Sequence, residues 1–317
     1  MMLDPDVSAL LLATERAGVP RVETVTPAEA RENFRKSRLV AALPLPAQVS
    51  AEQLVISTDT GSLPAMLYRP QSSRDEKLPA LLFFHGGGWV VGDVESYGDI
   101  CSFLSSSANC CVISVGYRLA PEHKFPVAVM DAAASLAWLV SNADRHGIDA
   151  QRISVGGDSA GANLAAVIAI MARENGVVPI VSQLLIYPVT DLTLSLPAHS
   201  EAIPGARFTS ATMGWFRDHY LNDDRESADW RASPLFADNL EGVAPAFILT
   251  AGADPLRDDG SAYADRLRAS GVYVRHAHYP NQVHAFINFG RLLPAATAAL
   301  DEIGAELRRA FGDRPPL

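Results

Sequence analysis

Apolar runs of strand length recur along the chain and alternate with longer stretches of helical pattern. Runs rich in β-branched and aromatic residues predict eight strands, at residues 53–58, 65–68, 80–84, 111–117, 153–156, 183–187, 246–251 and 273–279. From the third run onward a loop and usually a helical pattern follow, and the clearest helices are predicted at residues 125–142, 160–175, 261–270 and 294–310. This alternation predicts a mostly parallel sheet covered on both faces, in which the first two strands could form an antiparallel edge.

Two regions interrupt this alternation. Residues 1–45 have a helical pattern and precede the first strand, and residues 191–232 contain a loop followed by a helix-like segment. The second region has an apolar, aromatic face formed by Phe208, Met213, Trp215, Phe216 and Tyr220. Such a face fits a helix packed on its own core, and it also fits a cap over a functional site.

The composition is that of an ordinary globular protein and argues against some classes of function. The chain has 317 residues, of which 48% are apolar and 20% charged, and its formal net charge is −10. An acidic chain without a basic patch argues against a nucleic-acid partner. The N-terminal segment lacks a basic region and a long apolar run, so we expect neither a signal peptide nor a stable insertion into a membrane.

The cysteine content bears on the compartment of the protein. There are three cysteines, Cys101, Cys110 and Cys111, and none belongs to a CxxC pair. Because Cys110 and Cys111 lie in an apolar run, buried free thiols are the simplest interpretation. Free thiols favour a reducing compartment, and we therefore expect a cytoplasmic location.

A triglycine stretch, HGGGWVVGD at residues 85–93, follows the third predicted strand and suggests a phosphate-binding loop. The dinucleotide fingerprint fails, because Val91 stands where the third glycine is required. The P-loop pattern also fails, because Asp93 follows Gly92 where a lysine should meet the phosphate. The glycines therefore need a different explanation.

The pentapeptide GDSAG at residues 157–161 lies between a predicted strand and a predicted helix of small residues. A serine in such a strand–turn–helix setting is typical of a nucleophile elbow, where crowding favours glycine on both sides. A helix N-cap serine is the simpler alternative, but it would not require both glycines.

A serine nucleophile needs a base and an acid that orients the base. Asp254 ends a predicted strand, and His284 lies in the loop after the last one, whereas His276 and His278 alternate within that strand. The order Ser159, Asp254, His284 is the order expected for an α/β-hydrolase. In that fold the N–H group after the nucleophile, here of Ala160, and a loop after an earlier strand stabilise the oxyanion, which gives the triglycine a role.

Longer motifs make the sequence resemble a known family, the hormone-sensitive-lipase-like carboxylesterases (bacterial esterase family IV, GDSAG subgroup). The motifs occur in family order over roughly residues 50–290, as HGGGWVVGD, VGYRLAPEHKFP, GGDSAGANLA, LLIYP, DPLRDD and VHAF. The resemblance implies an α/β-hydrolase fold with a mostly parallel eight-stranded sheet flanked by helices. It also implies a helical cap from residues 1–45 and 191–232 over a catalytic core of residues 46–190 and 233–317.

The resemblance further implies roles for individual residues. Ser159, Asp254 and His284 would form the triad, and the oxyanion would be bound by N–H groups of Gly87, Gly88 and Ala160. By the same resemblance, His85 would shape the glycine loop and Asp158 would hold neighbouring loops. Ala285 departs from the glycine that many relatives carry after the histidine.

The function expected is that of a serine carboxylesterase, which hydrolyses short- to medium-chain acyl esters through an acyl-enzyme. The alternatives are a receptor-like ligand-binding protein of the same fold and a hydrolase of amides, carbamates or lactones. No cofactor is expected, nor a metal, because His276 and His278 lack a third ligand at useful spacing. A homodimer through the last strand and helix is possible. Candidate pocket walls are Trp89, Phe208, Trp215, Phe216, Leu256 and Phe286.

Overall fold

A single eight-stranded sheet organises the computed structural model, which describes residues 3–59, 61–71, 77–176, 180–201, 203 and 205–312. The strands are β1 (Val49–Thr58), β2 (Gly61–Pro70), β3 (Leu78–Phe84), β4 (Cys111–Val115), β5 (Ile148–Asp158), β6 (Ile180–Ile186), β7 (Ala246–Ala253) and β8 (Val274–Val283). Their order across the sheet is β1-β2-β4-β3-β5-β6-β7-β8. Only the β1–β2 and β2–β4 pairs are antiparallel, which confirms both the mostly parallel sheet and the antiparallel edge.

Helices cover both faces of the sheet. They are α1 (Pro5–Arg16), α2 (Pro27–Ala41), α3 (Gly98–Ala108), α4 (Val127–Asn142), α5 (Ala160–Asn175), α6 (Ser210–Tyr220), α7 (Arg257–Ala269) and α8 (Pro294–Ala310). The helices predicted at residues 160–175 and 294–310 have the predicted bounds. Helix α7 begins before the predicted residue 261, with Asp258 and Asp259 in its first turn, where carboxylates favour a helix N-terminus.

The central strand β3 shows why the sequence folds in this way. All of its residues are buried, as expected for a strand of a parallel sheet with helices on both faces. Successive side chains point to opposite faces, so Leu82 and Phe84 join one hydrophobic core and Leu81 and Phe83 join the other. The triglycine loop therefore starts from a fully buried strand in the interior of the sheet.

The two irregular regions of the sequence meet in the fold. Helices α1 and α2 precede the sheet, and α6 follows β6 after a long irregular segment. Thr212 on α6 donates a hydrogen bond to Glu23, with 3.0 Å between Oγ1 and Oε2. The predicted cap of residues 1–45 and 191–232 stays a prediction in its boundaries.

No helix in the described part of the chain is long and apolar enough to cross a membrane. The three cysteines are all buried and unpaired, as the apolar run around two of them suggested.

Candidate active site

Ser159 occupies a strained turn between β5 and α5. Its backbone has φ of 52° and ψ of −115°, a conformation that costs on the order of 1–3 kcal/mol and persists only where the surroundings enforce it. A Cβ atom on either Gly157 or Gly161 would overlap the carbonyl oxygen of Phe84 at the end of β3. The glycines on both sides of the serine thus allow the turn to pack directly against the neighbouring strand.

Asp254 and His284 reach Ser159 from two neighbouring strands. Asp254 directly follows β7 and His284 directly follows β8, so the three residues meet at the carboxyl edge of the parallel sheet. His284 Nε2 lies 3.0 Å from Ser159 Oγ, and His284 Nδ1 lies 2.8 Å from Asp254 Oδ2. Asp254 is completely buried, and its other oxygen accepts the Leu256 N–H at 2.9 Å. A carboxylate at Nδ1 favours the tautomer that leaves Nε2 free to accept the serine proton.

Aromatic rings fix the orientation of the imidazole. The Phe208 ring stacks on His284, with 4.0 Å between centroids and 19° between planes. Tyr187 contacts the same imidazole edge-on at 4.8 Å. Because Phe208 belongs to the segment before α6, one of the irregular regions reaches the centre of the site.

The triglycine loop runs beside the serine in a conformation that requires glycine. Gly87 and Gly88 have φ of 109° and 57°. A Cβ atom on Gly87 would overlap the Val91 carbonyl, and one on Gly88 would overlap the Phe216 ring. Within the described residues, the N–H groups of Gly87 and Gly88 donate to no protein acceptor. The N–H of Ala160 also lacks an intrahelical acceptor, because it begins α5.

The comparison with known proteins decides the family. The model of a family with the α/β-hydrolase fold matches residues 81–288. The chain belongs to the α/β-hydrolase family. It is 38% identical to the carboxylic ester hydrolase LipN of Mycobacterium tuberculosis, over 96% of this chain and 82% of that protein. It is also 38% identical to the ethyl acetate hydrolase of Pseudomonas putida, over 95% of this chain and 96% of that protein.

Solved structures agree with this assignment. An α/β-hydrolase enzyme from the metagenome of Lake Arreo, Spain, has a TM-score of 0.94 at 37% identity, covering 98% of this chain and 99% of that chain. A hyperthermophilic esterase from the archaeon Pyrobaculum calidifontis has a TM-score of 0.89 at 37% identity, with the same two coverages. The family and these neighbours confirm the fold class and the resemblance to the carboxylesterases that the motifs indicated.

In this α/β-hydrolase the carboxyl group of Asp158 holds the start of the glycine loop. Its Oδ1 accepts the Gly86 N–H at 2.6 Å, and its Oδ2 lies 3.2 Å from the Tyr97 hydroxyl and 3.3 Å from that of Tyr187. Burial raises the pKa of Asp158 to about 6, although these hydrogen bonds and the nearby His284 favour the ionised form. The family resemblance implied a structural role for Asp158, but the sequence gave no signal for the two tyrosines, which come from separate parts of the chain.

His85 also contacts the start of the glycine loop. Its Nδ1 lies 2.8 Å from the Gly86 carbonyl oxygen, and its own carbonyl accepts the Tyr117 hydroxyl at 2.8 Å. Burial lowers the pKa of His85 to about 4, so the imidazole is neutral near pH 7. Its position away from Ser159's hydrogen-bond chain supports the shaping role that the resemblance implied.

A cavity of about 620 Å³ opens over Ser159 of the hydrolase. Its walls come from α1, α2, the glycine loop and the segment around α6, and they are mostly apolar. Of the predicted pocket residues, four line this cavity: Trp89, Phe208, Phe216 and Leu256. Other wall residues were missed because no motif marks them, among them Leu10, Val40, Leu194, Met213 and Leu292.

Two predicted pocket residues do not line the cavity. Trp215 packs against its helix neighbours, 5.1 Å from the Phe216 ring and 4.2 Å from that of His219. Consecutive helix positions point about 100° apart, so Phe216 faces the cavity and Trp215 does not. Phe286 is completely buried under the histidine loop, because the left-handed turn at Ala285, with φ of 61°, directs the next residue into the core.

Among the described residues no group of three or more potential ligands is arranged to hold a metal ion. The two alternating histidines of β8 contact one hydroxyl instead. His276 Nε2 and His278 Nδ1 lie 2.8 and 2.9 Å from Thr250 Oγ1.

Proposed function

We propose that this α/β-hydrolase is a serine carboxylesterase that cleaves short- to medium-chain acyl esters. The observation that carries the proposal is the continuous chain of hydrogen-bonding distances from Asp254 through His284 to Ser159, of 2.8 and 3.0 Å. This geometry supplies a weak hydroxyl nucleophile with an oriented base. The names of the relatives, ester hydrolases among them, support the same reaction class.

In the first half of the reaction, Ser159 Oγ attacks the ester carbonyl while His284 Nε2 accepts its proton. Asp254 keeps the imidazole in the reactive tautomer and stabilises the imidazolium that forms. His284 then gives the proton to the leaving alcohol, and the acyl group remains on Ser159. In the second half His284 takes a proton from water, which attacks the acyl-enzyme. The bond between the acyl group and Ser159 Oγ then breaks, His284 returns the proton to Oγ, and the acid leaves.

The negative charge that develops on the carbonyl oxygen needs donors that are already in place. The N–H groups of Gly87, Gly88 and Ala160 are the donors we assign to it. One such donor is worth roughly 10² to 10³ in turnover. The positive φ values of the two glycines and the support of Asp158 to the loop are consistent with this role.

The proposal also includes the helical cap of the enzyme, its assembly and its compartment. Residues 1–45 and 191–232 form its helical cap, since they supply the cavity walls opposite the sheet. A homodimer would use β8 and α8, because β8 is an edge strand and Tyr273 beside it is 67% exposed. The three buried free thiols favour the cytoplasm. A survey of substrates would also show whether the enzyme cleaves amides, carbamates or lactones. The complete triad of Ser159, Asp254 and His284 disfavours a receptor-like role.

The histidines of β8 provide a matched test. We expect His284→Ala to lower kcat for a short-chain nitrophenyl ester by at least about 10³-fold, because Ser159 loses its base. His278→Ala should keep near-normal turnover, since among the described residues the hydrogen bond of that exposed side chain goes to Thr250 and not to Ser159. The measurement is the steady-state rate of both variants beside the wild type, with circular dichroism to check the fold. Turnover retained by a folded His284→Ala enzyme would refute the assignment.

A further inference from the structure

Three arginines line the mostly apolar cavity, and two of them, Arg21 and Arg207, lie beside each other. Arg21 precedes a short 3₁₀ turn after α1, and Arg207 precedes α6. Arg21 Nη1 donates to the Ala206 carbonyl at 3.3 Å, whereas Arg207 Nη2 donates to the carbonyls of Val19 and Pro20 at 2.8 and 2.7 Å. Each side chain thus reaches the backbone beside the other, which brings the two guanidinium groups close together. We call Arg21 and Arg207 the arginine pair.

The charge of the arginine pair is not neutralised by an ion pair. Neither guanidinium lies within ion-pair distance of a carboxylate in the part of the chain that the structure describes. Burial and the neighbouring Arg21 lower the pKa of Arg207, and the charges of Glu23 and Glu15 oppose this shift only in part. Neither glutamate lines the cavity, and Glu23 accepts a hydrogen bond from Thr212.

Other charged side chains on the wall are already engaged. Arg217 lies 3.3 Å from a carboxylate oxygen of Asp218 and 3.7 Å from one of Asp224. Asp158 uses both oxygens within the protein, one of them on the Gly86 N–H. In a chain with a net charge of −10, the cavity therefore presents unneutralised positive charge at one part of its apolar wall.

An apolar wall and a pair of guanidinium groups together fit one kind of molecule. A hydrocarbon chain would pack along the wall, and a carboxylate at its end would accept hydrogen bonds from the planar guanidinium forks. Among the described residues, Arg207 uses only its Nη2 for hydrogen bonds to the backbone, so its Nε and Nη1 are directed to no protein acceptor there.

We propose that the arginine pair binds a carboxylate at the end of the substrate remote from the scissile ester bond. The hydrolase then prefers carboxylate-bearing esters, such as monoesters of dicarboxylic acids, over neutral esters of the same length. This inference rests on the proposed esterase function and names its substrate class. Because a remote contact stabilises the bound substrate and the transition state alike, its effect falls on KM and not on kcat.

The test uses ester pairs that differ only in a terminal carboxylate. Monomethyl adipate and methyl hexanoate place the charge on the acyl side, and the acetate ester of ω-hydroxyhexanoate and hexyl acetate place it on the alcohol side. At about pH 8 we expect a lower KM for the charged member of at least one pair. Arg207→Gln and Arg21→Gln should each raise that KM by about tenfold and leave the neutral ester unchanged. Arg207→Lys should restore part of the effect, and high salt should weaken it.

Arg225→Gln is the control for loss of a positive charge, since Arg225 lies outside the cavity lining and its side chain is 91% exposed. It should leave both members of each pair unchanged. Equal KM values for charged and neutral esters in the wild type would overturn the inference. An equal rise in KM for both esters in Arg207→Gln would also overturn it, because the arginine pair would then only hold two segments of the chain together. If the wild type hydrolysed no ester at all, the proposed function itself would be wrong.

Discussion

At the scale of single residues, the buried carboxyl of Asp158 should affect the stability of the fold. It stands next to the nucleophile, is only 1% exposed and has no cationic partner among its hydrogen bonds. Its contact with the Gly86 N–H links the turn of Ser159 to the glycine loop. An ionised carboxylate there costs folding free energy, and that cost should be measurable through its dependence on pH.

The direction of this pH dependence follows from the pKa of Asp158. It is about 6 in the folded protein, above the value of about 3.9 for an unfolded aspartate. Between these values the folded state binds more protons, so the contribution of Asp158 to stability decreases as the pH rises from about 4 to about 6. Asp158→Asn removes this dependence. We expect its melting temperature, relative to the wild type, to be higher at about pH 8 than at about pH 5. A relative melting temperature that is the same at both values, or lower at pH 8, would contradict the shifted pKa.

At the scale of elements, helix α2 presents a row of arginines to the segment that follows the triglycine. Arg31, Arg35 and Arg38 share one helix face by their spacing. Their Nε atoms contact, in order, the carbonyl of Val90 at 2.8 Å, the carboxylate of Asp93 at 2.7 Å and the carbonyl of Ser96 at 2.9 Å. The N-terminal region therefore supports the glycine loop as well as covering the cavity.

Arg38 is the buried member of this row, and it should dominate the stability of the contact. Its Nη2 lies 2.6 Å from Asp99 Oδ1, and both side chains are about 5% exposed or less. We expect Arg38→Met to reduce the free energy of unfolding by about 3–5 kcal/mol, because it leaves a buried carboxylate without its partner. Arg35→Gln breaks a pair whose arginine is 55% exposed and should cost about 1 kcal/mol or less. Urea denaturation of the two variants measures both values, and similar losses would contradict the ranking.

The strands and helices also show which features of the fold could be predicted from the sequence. Every predicted strand exists, because apolar runs of strand length are a local signal. Strand β5 starts at Ile148, before the predicted residue 153, since its first part is polar and gave no apolar run. Helix α3 was not among the clear helical predictions, because its serines weaken the pattern although most of its residues are buried.

In the site, too, the sequence predicted the residues that a local motif marks and not those that depend on packing between distant segments. Ser159, Asp254 and His284 could be chosen because each stands at a strand end in a recognisable stretch of sequence. Trp215 and Phe286, predicted as pocket walls, do not line the cavity, because which side of an element faces a cavity depends on packing between distant segments. The arginine pair was not found for the same reason, since Arg21 and Arg207 come together only when the two irregular regions meet.

At the scale of the whole molecule, the sheet brings the reacting groups to one edge. The glycine loop follows β3, Ser159 follows β5, and Asp254 and His284 follow β7 and β8. These strands lie in the order β3-β5-β6-β7-β8, so the glycine loop and His284 approach Ser159 from opposite sides. At this edge we expect Ser159 to carry the acyl group between the two halves of the reaction.

Covalent labelling by an organophosphate tests whether Ser159 is the nucleophile. The reagent needs an activated serine, and peptide mass mapping shows which residue it modified. We expect one label per chain, located on Ser159, with loss of ester hydrolysis in proportion to labelling. Ser159→Ala, verified as folded, should take up no label and hydrolyse no ester. An active preparation that is not labelled, a label on another residue, or turnover retained by Ser159→Ala would contradict the account.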